Sequence, residues 1–366
     1  MAHRPNILAL ASKISLESLT YTGITYGDPE YRILDPIVDD DMCSVMMRMR
    51  LETDFSAEDL AKKTRKSLDF VQTQCDKLVK AGVIRTRVRS GVLCYYYPIW
   101  VPGIMEGILS NREQCDAHPE LGACFEEYTR IRVGMLAPVL GNGVNFMRVM
   151  PVMSAIENDT HKASYDEIST LIEKAWAISV GPCSCRRSRR LMGEGCGHLE
   201  YDMCLHLGPA AEFYARTGKA RYVTREEAEQ IIKQAEENGL MHCMPNINEA
   251  GDSDSICNCC GCSCFGLRIG LMFGARDAVR SNFVAKVDEE KCVACGLCVE
   301  HCPGNALKMG QKLCTKIPLA PEPAVKKISN HPWSSKDWDV DYRENRKNVV
   351  ATGTSPCKTA CPAHIG

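Results

Sequence analysis

Lys291 to Pro303 reads KCVACGLCVEHCP, and its spacing, Cys292-x2-Cys295-x2-Cys298-x3-Cys302-Pro303, decides what kind of domain can surround it. Three thiolates so closely spaced wrap one [4Fe–4S] cluster corner by corner, while the fourth reaches the other cluster in two-cluster domains. Gly296 suits the tight ligating loop, and Pro303 ends it. A zinc knuckle is the competing use of such thiols, but zinc sites usually pair two C-x2-C units across a longer gap. The run predicts a ferredoxin-type [4Fe–4S] domain over residues 251–315.

No second identical run is present. Instead Cys257, Cys259, Cys260, Cys262 and Cys264 crowd into eight residues upstream. With pseudo-twofold pairing, Cys264 completes the cluster begun by Cys292, Cys295 and Cys298, and Cys302 joins three of the other upstream thiols; spacing leaves open which three. A third group is Cys183-x-Cys185-x10-Cys196-x7-Cys204, followed after its first pair by Arg186, Arg187, Arg189 and Arg190. Four thiolates hold either zinc or an iron–sulfur cluster, and the arginines offset the negative charge of either. The expectation is two [4Fe–4S] clusters with room for a third. His198 and His206 read as neighbours of the site or surface residues rather than ligands.

Composition sets the frame for these motifs. The chain has 366 residues, 45% of them hydrophobic and 25% charged, which is ordinary globular composition for several domains and excludes a disordered chain. Lys and Arg total 44 against 46 Asp and Glu, so no global field drives the protein onto nucleic acid or an anionic membrane. No apolar run reaches spanning length, because the best candidate, around Gly141 to Ile156, is cut by Arg148, and no signal peptide opens the chain. Only Cys43, Cys75, Cys94, Cys115 and Cys124 of the 22 cysteines precede residue 183. Tight pairs without a secretion signal indicate metal ligation by reduced thiols, and the expected compartment is the cytoplasm.

Upstream, residues 1–40 show little periodicity and read as an N-terminal arm, packed or loosely attached. Residues 41–100 predict a winged helix: an apolar-rich helix from Met42, a second capped by Ser56 and Asp59, and a third capped by Ser67. The third carries Leu68, Val71, Cys75, Leu78 and Val79 at helical spacing and stops at Gly82; strands about the Ser90-Gly91 turn follow. Nine Lys or Arg against four acids between Ser56 and Ser90 raise the idea of phosphate contact. A solvated basic face on an interaction module is favoured instead, because only Gln72 and Gln74 on the third helix could read bases, and DNA is not an expected partner.

Residues 101–160 predict a helical connector with boundaries at Pro102, Pro138 and Pro151, and 161–250 a cysteine-rich α/β region. In the latter, Ser164 and Glu167 cap one helix, Ile178 to Val180 form a strand, and Thr224 and Glu227 cap another helix that ends at Asn238-Gly239. The proline- and charge-rich stretch 316–350 reads as a linker, and 351–366 as a truncated iron–sulfur motif with Cys357 and Cys361.

Taken with Val149-Met-Pro-Val, Gly181-Pro-Cys-Ser-Cys-Arg, Asn238-Gly-Leu-Met-His, Cys257-Asn-Cys-Cys-Gly-Cys and Val287-Asp-Glu-Glu-Lys-Cys292, the chain resembles anaerobe-type 4Fe–4S ferredoxin-domain proteins with an N-terminal winged helix. The resemblance spans roughly residues 40 to 315 and implies electron transfer. Ser263 departs from it where relatives are expected to carry a cysteine.

Ser355-Pro-Cys357-Lys-Thr-Ala-Cys361-Pro-Ala-His-Ile-Gly resembles the iron–sulfur start of the glutamate synthase small subunit and related FAD/NAD(P) oxidoreductases. An ordinary tail with two stray cysteines is the plain alternative. The resemblance implies a piece of a longer flavin-linked oxidoreductase, with FAD and NAD(P) bound in a further C-terminal region or by a partner, since no Gly-x-Gly-x-x-Gly loop occurs. Its partners would be a flavin-containing oxidoreductase domain or subunit and redox proteins. No general acid, base or nucleophile is nominated; thiolates are the whole chemistry. The rival reading is a redox-sensing winged-helix transcriptional regulator, and a third is a zinc-structured scaffold.

Overall fold

A computed structural model describes residues 3–135, 147–150, 168–246, 254–273, 279–281, 287, 291–300 and 302. It is α+β. Expectations for the capping box at Ser164, the linker and the Cys357/Cys361 motif lie outside the described residues.

The N-terminal half is mostly helical. Helix α1 (Pro5–Glu17) starts on a proline, whose missing N–H costs nothing in a first turn, and buries Ile7, Leu10, Ala11 and Ile14 on one stripe. With α2 (Pro29–Leu34), it makes the opening segment part of the main core rather than a stretch of little periodicity. The 3.6-residue repeat of those four side chains is the signal that such a reading passes over.

Helix α3 (Asp40–Met46) is capped by Asp39, whose carboxylate accepts from the Met42 N–H at 2.7 Å. The Ser56/Asp59 capping box opens α4 (Ala57–Thr64), and Ser67 opens α5 (Leu68–Ala81). Gly82 ends α5 in the left-handed region at φ +85°, and a Cβ there would stand 2.1 Å from the Gly107 carbonyl oxygen. Only glycine fits both the conformation and that backbone contact. Strands β1 (Arg85–Arg89) and β2 (Val92–Tyr96) pair antiparallel across the Ser90-Gly91 turn. Helices α6 (Met105–Leu109), α7 (Arg112–Ala117) and α8 (Glu120–Tyr128) complete this half.

The second half is built on one seven-stranded sheet in the order β6-β4-β5-β8-β7-β3-β9. Its strands are β3 (Met147–Met150), β4 (Ile178–Gly181), β5 (Cys204–Leu207), β6 (Arg221–Tyr222), β7 (Met241–Pro245), β8 (Ser255–Cys259) and β9 (Val279–Arg280). All neighbours pair antiparallel except β3 and β9. Met147–Met150 therefore departs from the helical expectation for 101–160: Val149 pairs with Cys243 and Met150 with His242, so backbone partners on β7 override local propensity. The helices of this half are α9 (Ile168–Lys174), α10 (Ser184–Leu191), α11 (Gly208–Arg216), α12 (Arg225–Glu237) and α13 (Phe265–Phe273), with the short α14 (Leu297–Glu300) in the cysteine run.

Alternation along the strands gives the sheet two unlike faces. Ile178, Val180, Leu205, Ile256 and Met244 form one, packed with Ile168 and Ile172 of α9 and Ala228, Ile231, Ile232 and Ala235 of α12. The other face carries a transverse row fixed by register: Gly181 opposite Cys204, Cys204 opposite Cys257, Cys257 opposite Cys243, and Cys243 opposite Val149.

Buried ion pairs tie the thiol-bearing helices to the N-terminal half. Arg187 of α10 donates to Glu200 at 2.9 Å and to the Leu109 carbonyl at the end of α6 at 2.9 Å. Arg268 of α13 holds Glu126 of α8 at 2.7 Å. Ser188 donates to the Gly122 carbonyl at 3.0 Å, where α10 and α8 approach so closely that a Cβ at Gly122 would be 2.7 Å from that serine's carbonyl oxygen.

Candidate metal centre

Every described cysteine is a free thiol. Cys43, Cys75, Cys115 and Cys124 of the first half lie in the hydrophobic core, whereas those from Cys183 to Cys264 gather about the sheet in two groups, one on the Cys204–Cys257 face and one at the end of β8, where Cys260 packs with the Ile256 face.

The larger group draws on five separate parts of the chain. Cys183 is the N-cap residue of α10, and Cys185 stands in that helix's first turn. Cys204 lies on β5, Cys243 on β7, Cys257 and Cys259 on β8, and Cys264 just before α13. Cys185 interacts with Cys183 and Cys264, Cys259 with Cys243, Cys257 and Cys264, and Cys257 with Cys204. The Phe265 N–H donates to Cys185 Sγ at 3.4 Å.

Proton sharing divides these thiols into donors and acceptors. Cys257 is held well below the usual thiol range by hydrogen bonds from Cys204 and Cys259, against the opposing effect of burial. Bonds from Cys185 and Cys259 lower Cys264 to about 6, again against burial. Their neighbours move the other way: Cys204 is raised by its bond to Cys257 and by burial, and Cys259 by Cys243, Cys257 and Cys264. Soft thiolates so placed suit iron–sulfur ligation or zinc.

The smaller group is Cys196, Cys260 and Cys262, whose sulfurs lie within 4.8 Å of one another. Cys196 and Cys260 are 3.8 Å apart, and the Ser263 hydroxyl donates to Cys196 Sγ at 3.5 Å. The expected set Cys183, Cys185, Cys196 and Cys204 is thus not one site: Cys196 joins residues some sixty positions later, and the other three join Cys257, Cys259 and Cys264. Register explains the division, since β5 lies directly against β8 and brings Cys204 onto Cys257. The Gly193-to-Gly197 loop, with both glycines at positive φ, carries Cys196 to the Cys260 end of β8.

Of the four arginines after Cys185, Arg187 and Arg190 bind Glu200, and Arg189 bridges Glu126 and Glu194. Arg186 faces sulfur. It is 3% exposed, donates to the Asn258 carbonyl at 2.9 Å and stands 3.8 Å from Cys260 Sγ. Its Nε and Nη2 are buried without a hydrogen-bond partner. Burial opposes its charge, but Cys183, Cys260 and Cys259 outweigh that and favour the guanidinium. Orphaned buried donors beside thiols fit an anionic metal–sulfur group whose sulfur atoms accept them.

Cys243 is a member that motif spacing misses. No second cysteine lies near it in sequence, and only its alternation with His242 and Met244 on β7 would have placed it on the thiol face. His206 is buried and stacked on Tyr214, with ring centroids 3.9 Å apart, while His198 lies 3.3 Å from the Asn238 side-chain oxygen.

In the Cys292 run, Ala294 and Gly296 both take positive φ, at 54° and 80°, which curls the backbone between the cysteines. Cys295 is exposed; Cys292, Cys298 and Cys302 are half-buried. Residues 285–308 match a 4Fe–4S binding domain, which implies a [4Fe–4S] cluster there. No curated protein and no solved structure matches the chain. Among the described residues no helix is long and apolar enough to cross a membrane.

Proposed function

We propose that this protein carries electrons through iron–sulfur clusters as a cytoplasmic module of a larger flavin- and NAD(P)-linked oxidoreductase. The observation that carries the iron–sulfur part is the 4Fe–4S match lying on a run that supplies four thiols within eleven residues, curled by two left-handed positions. Cys292, Cys295 and Cys298 are the residues that would hold three of that cluster's irons, with the fourth ligand coming from the upstream thiols, and Cys302 would reach the second cluster. The wider group of Cys183, Cys185, Cys204, Cys257, Cys259 and Cys264 supplies ligands for a second. A bound [4Fe–4S] cluster accepts and releases one electron at a time with little change of structure.

The chain's own residues set the conditions for that exchange. Backbone N–H groups aimed at sulfur favour the more negative state and raise the potential, as the Phe265 N–H does at Cys185. The flavin context rests on the Cys357/Cys361 resemblance alone.

The first half reads as a winged helix by its three helices and hairpin, and its role here is to support the thiol region rather than to bind DNA. Arg85 donates to the Tyr214 hydroxyl and the Gly103 carbonyl, and Arg87 and Arg89 both bind Asp54. Gln74 is buried, which leaves Gln72 as the one exposed glutamine of α5.

The test is electron paramagnetic resonance of dithionite-reduced protein prepared without oxygen. Cys295→Ser is expected to remove one cluster's signal, and Cys314→Ser to leave it unchanged. Identical spectra from both variants would refute the ligand assignment.

A further inference from the structure

The smaller thiol group has dimensions that separate it from the larger one. Four ligands around one zinc ion at a Zn–S bond of about 2.3 Å define a tetrahedron with edges of about 3.8 Å. Cys196 Sγ and Cys260 Sγ are 3.8 Å apart, and Cys262 keeps all three sulfurs within 4.8 Å. In a cubane each thiolate sits outside a different iron, so cluster ligands stand wider than one tetrahedral edge.

We propose that Cys196, Cys260 and Cys262 hold a single divalent metal ion of the zinc class, distinct from the iron–sulfur ligands.

Charge supports the assignment. Three thiolates around a dication leave one net negative charge, and the buried Arg186 guanidinium, 3.8 Å from Cys260 Sγ with two N–H groups unpartnered, is the matching cation. The Ser263 hydroxyl donates to Cys196 Sγ at 3.5 Å, a hydrogen bond that favours its thiolate. Cys262 is exposed, which gives the ion a path from solvent. The ion's role is structural: it pins the Cys196 loop to the end of β8, next to the face where the other thiols converge.

The experiment uses the full chain purified without oxygen, with zinc, iron and acid-labile sulfide measured on the same samples as the reduced-state magnetic spectrum. Wild type is expected to hold one zinc per chain beyond its iron. Cys262→Ser, at an exposed position that tolerates the change, and Cys196→Ser should each lose that zinc with iron, sulfide and spectrum unchanged. Cobalt(II) supplied in place of zinc should give thiolate-to-cobalt charge-transfer absorption and the intense visible bands of tetrahedral coordination, both lost in Cys196→Ser. Loss of iron and sulfide in the two variants would overturn the proposal by making the trio cluster ligands, and zinc content equal in variants and wild type would overturn it by removing the site. Neither result touches the iron–sulfur reading, which fails only if iron and sulfide are absent from wild type.

Discussion

The same side chain serves two physical ends in the two halves of this molecule. Cys75 and Cys115 are buried singly among Leu, Val and Ile, where burial raises their thiols to about 12 and about 11. Cys264 is buried and Cys257 half-buried, but both receive hydrogen bonds from other thiols, and they move down instead. Burial alone makes cysteine a small, inert hydrophobe; burial beside donors makes it a ligand. The difference lies in neighbours brought together by sheet register.

Substitution breaks the comparison most severely. Cys257→Ser should remove the second cluster, roughly halving iron and sulfide, and loosen the sheet, because metal binding there is part of the folding free energy. Cys75→Ser should keep all iron and cost about 1–3 kcal/mol from an unsatisfied buried hydroxyl, read by denaturant unfolding. If both variants lose iron equally, the division of roles is wrong.

Alkylation sharpens it. After iron removal by a chelator, Cys257 and Cys264 should react at least about tenfold faster at neutral pH than Cys43, Cys75 or Cys115, by mass spectrometry of labelled peptides. Equal rates would mean that neighbours do not govern thiol acidity here.

The bond between the halves gives the next effect. Burial pushes the Glu126 carboxyl up, but Arg268, Arg130 and Arg189 outweigh it and hold it at about 2. A depressed carboxyl stabilises the fold fully above its unfolded value of 4.5 and progressively less as pH falls towards 2. Glu126→Gln should therefore cost about 3 kcal/mol at neutral pH, with the gap to wild type closing between those limits. A gap independent of pH would exclude an ionised partner. The smallest effect concerns DNA: binding should be weak, sequence-independent and lost at physiological salt, since Lys77, Lys80, Arg85, Arg87 and Arg89, five of the nine basic residues, have internal partners. A defined footprint that changes with oxidation would favour the regulator.

Local signals were legible in the sequence and long-range ones were not. Ser67, Gly82 and the stripe from Val71 to Val79 announce α5, and Ser90-Gly91 announces the hairpin, because caps and turns act within a few residues. The Cys292 run is readable for the same reason. Of the seven-stranded sheet only the Ile178–Val180 strand is legible: the sheet's strands are two to five residues long, and cysteines on Cys204-Leu-His-Leu and Ser-Ile-Cys257-Asn-Cys259 suggest ligand spacing before they suggest alternation. The grouping of Cys196 with Cys260 could not be read either, because it depends on a loop meeting a strand end sixty-four residues away.

The most direct test of the central claim is iron and acid-labile sulfide analysis of the full chain purified without oxygen. Two [4Fe–4S] clusters predict at least about eight of each per chain. Protein with stoichiometric zinc and no iron or sulfide would contradict the account and leave a zinc-structured scaffold in its place.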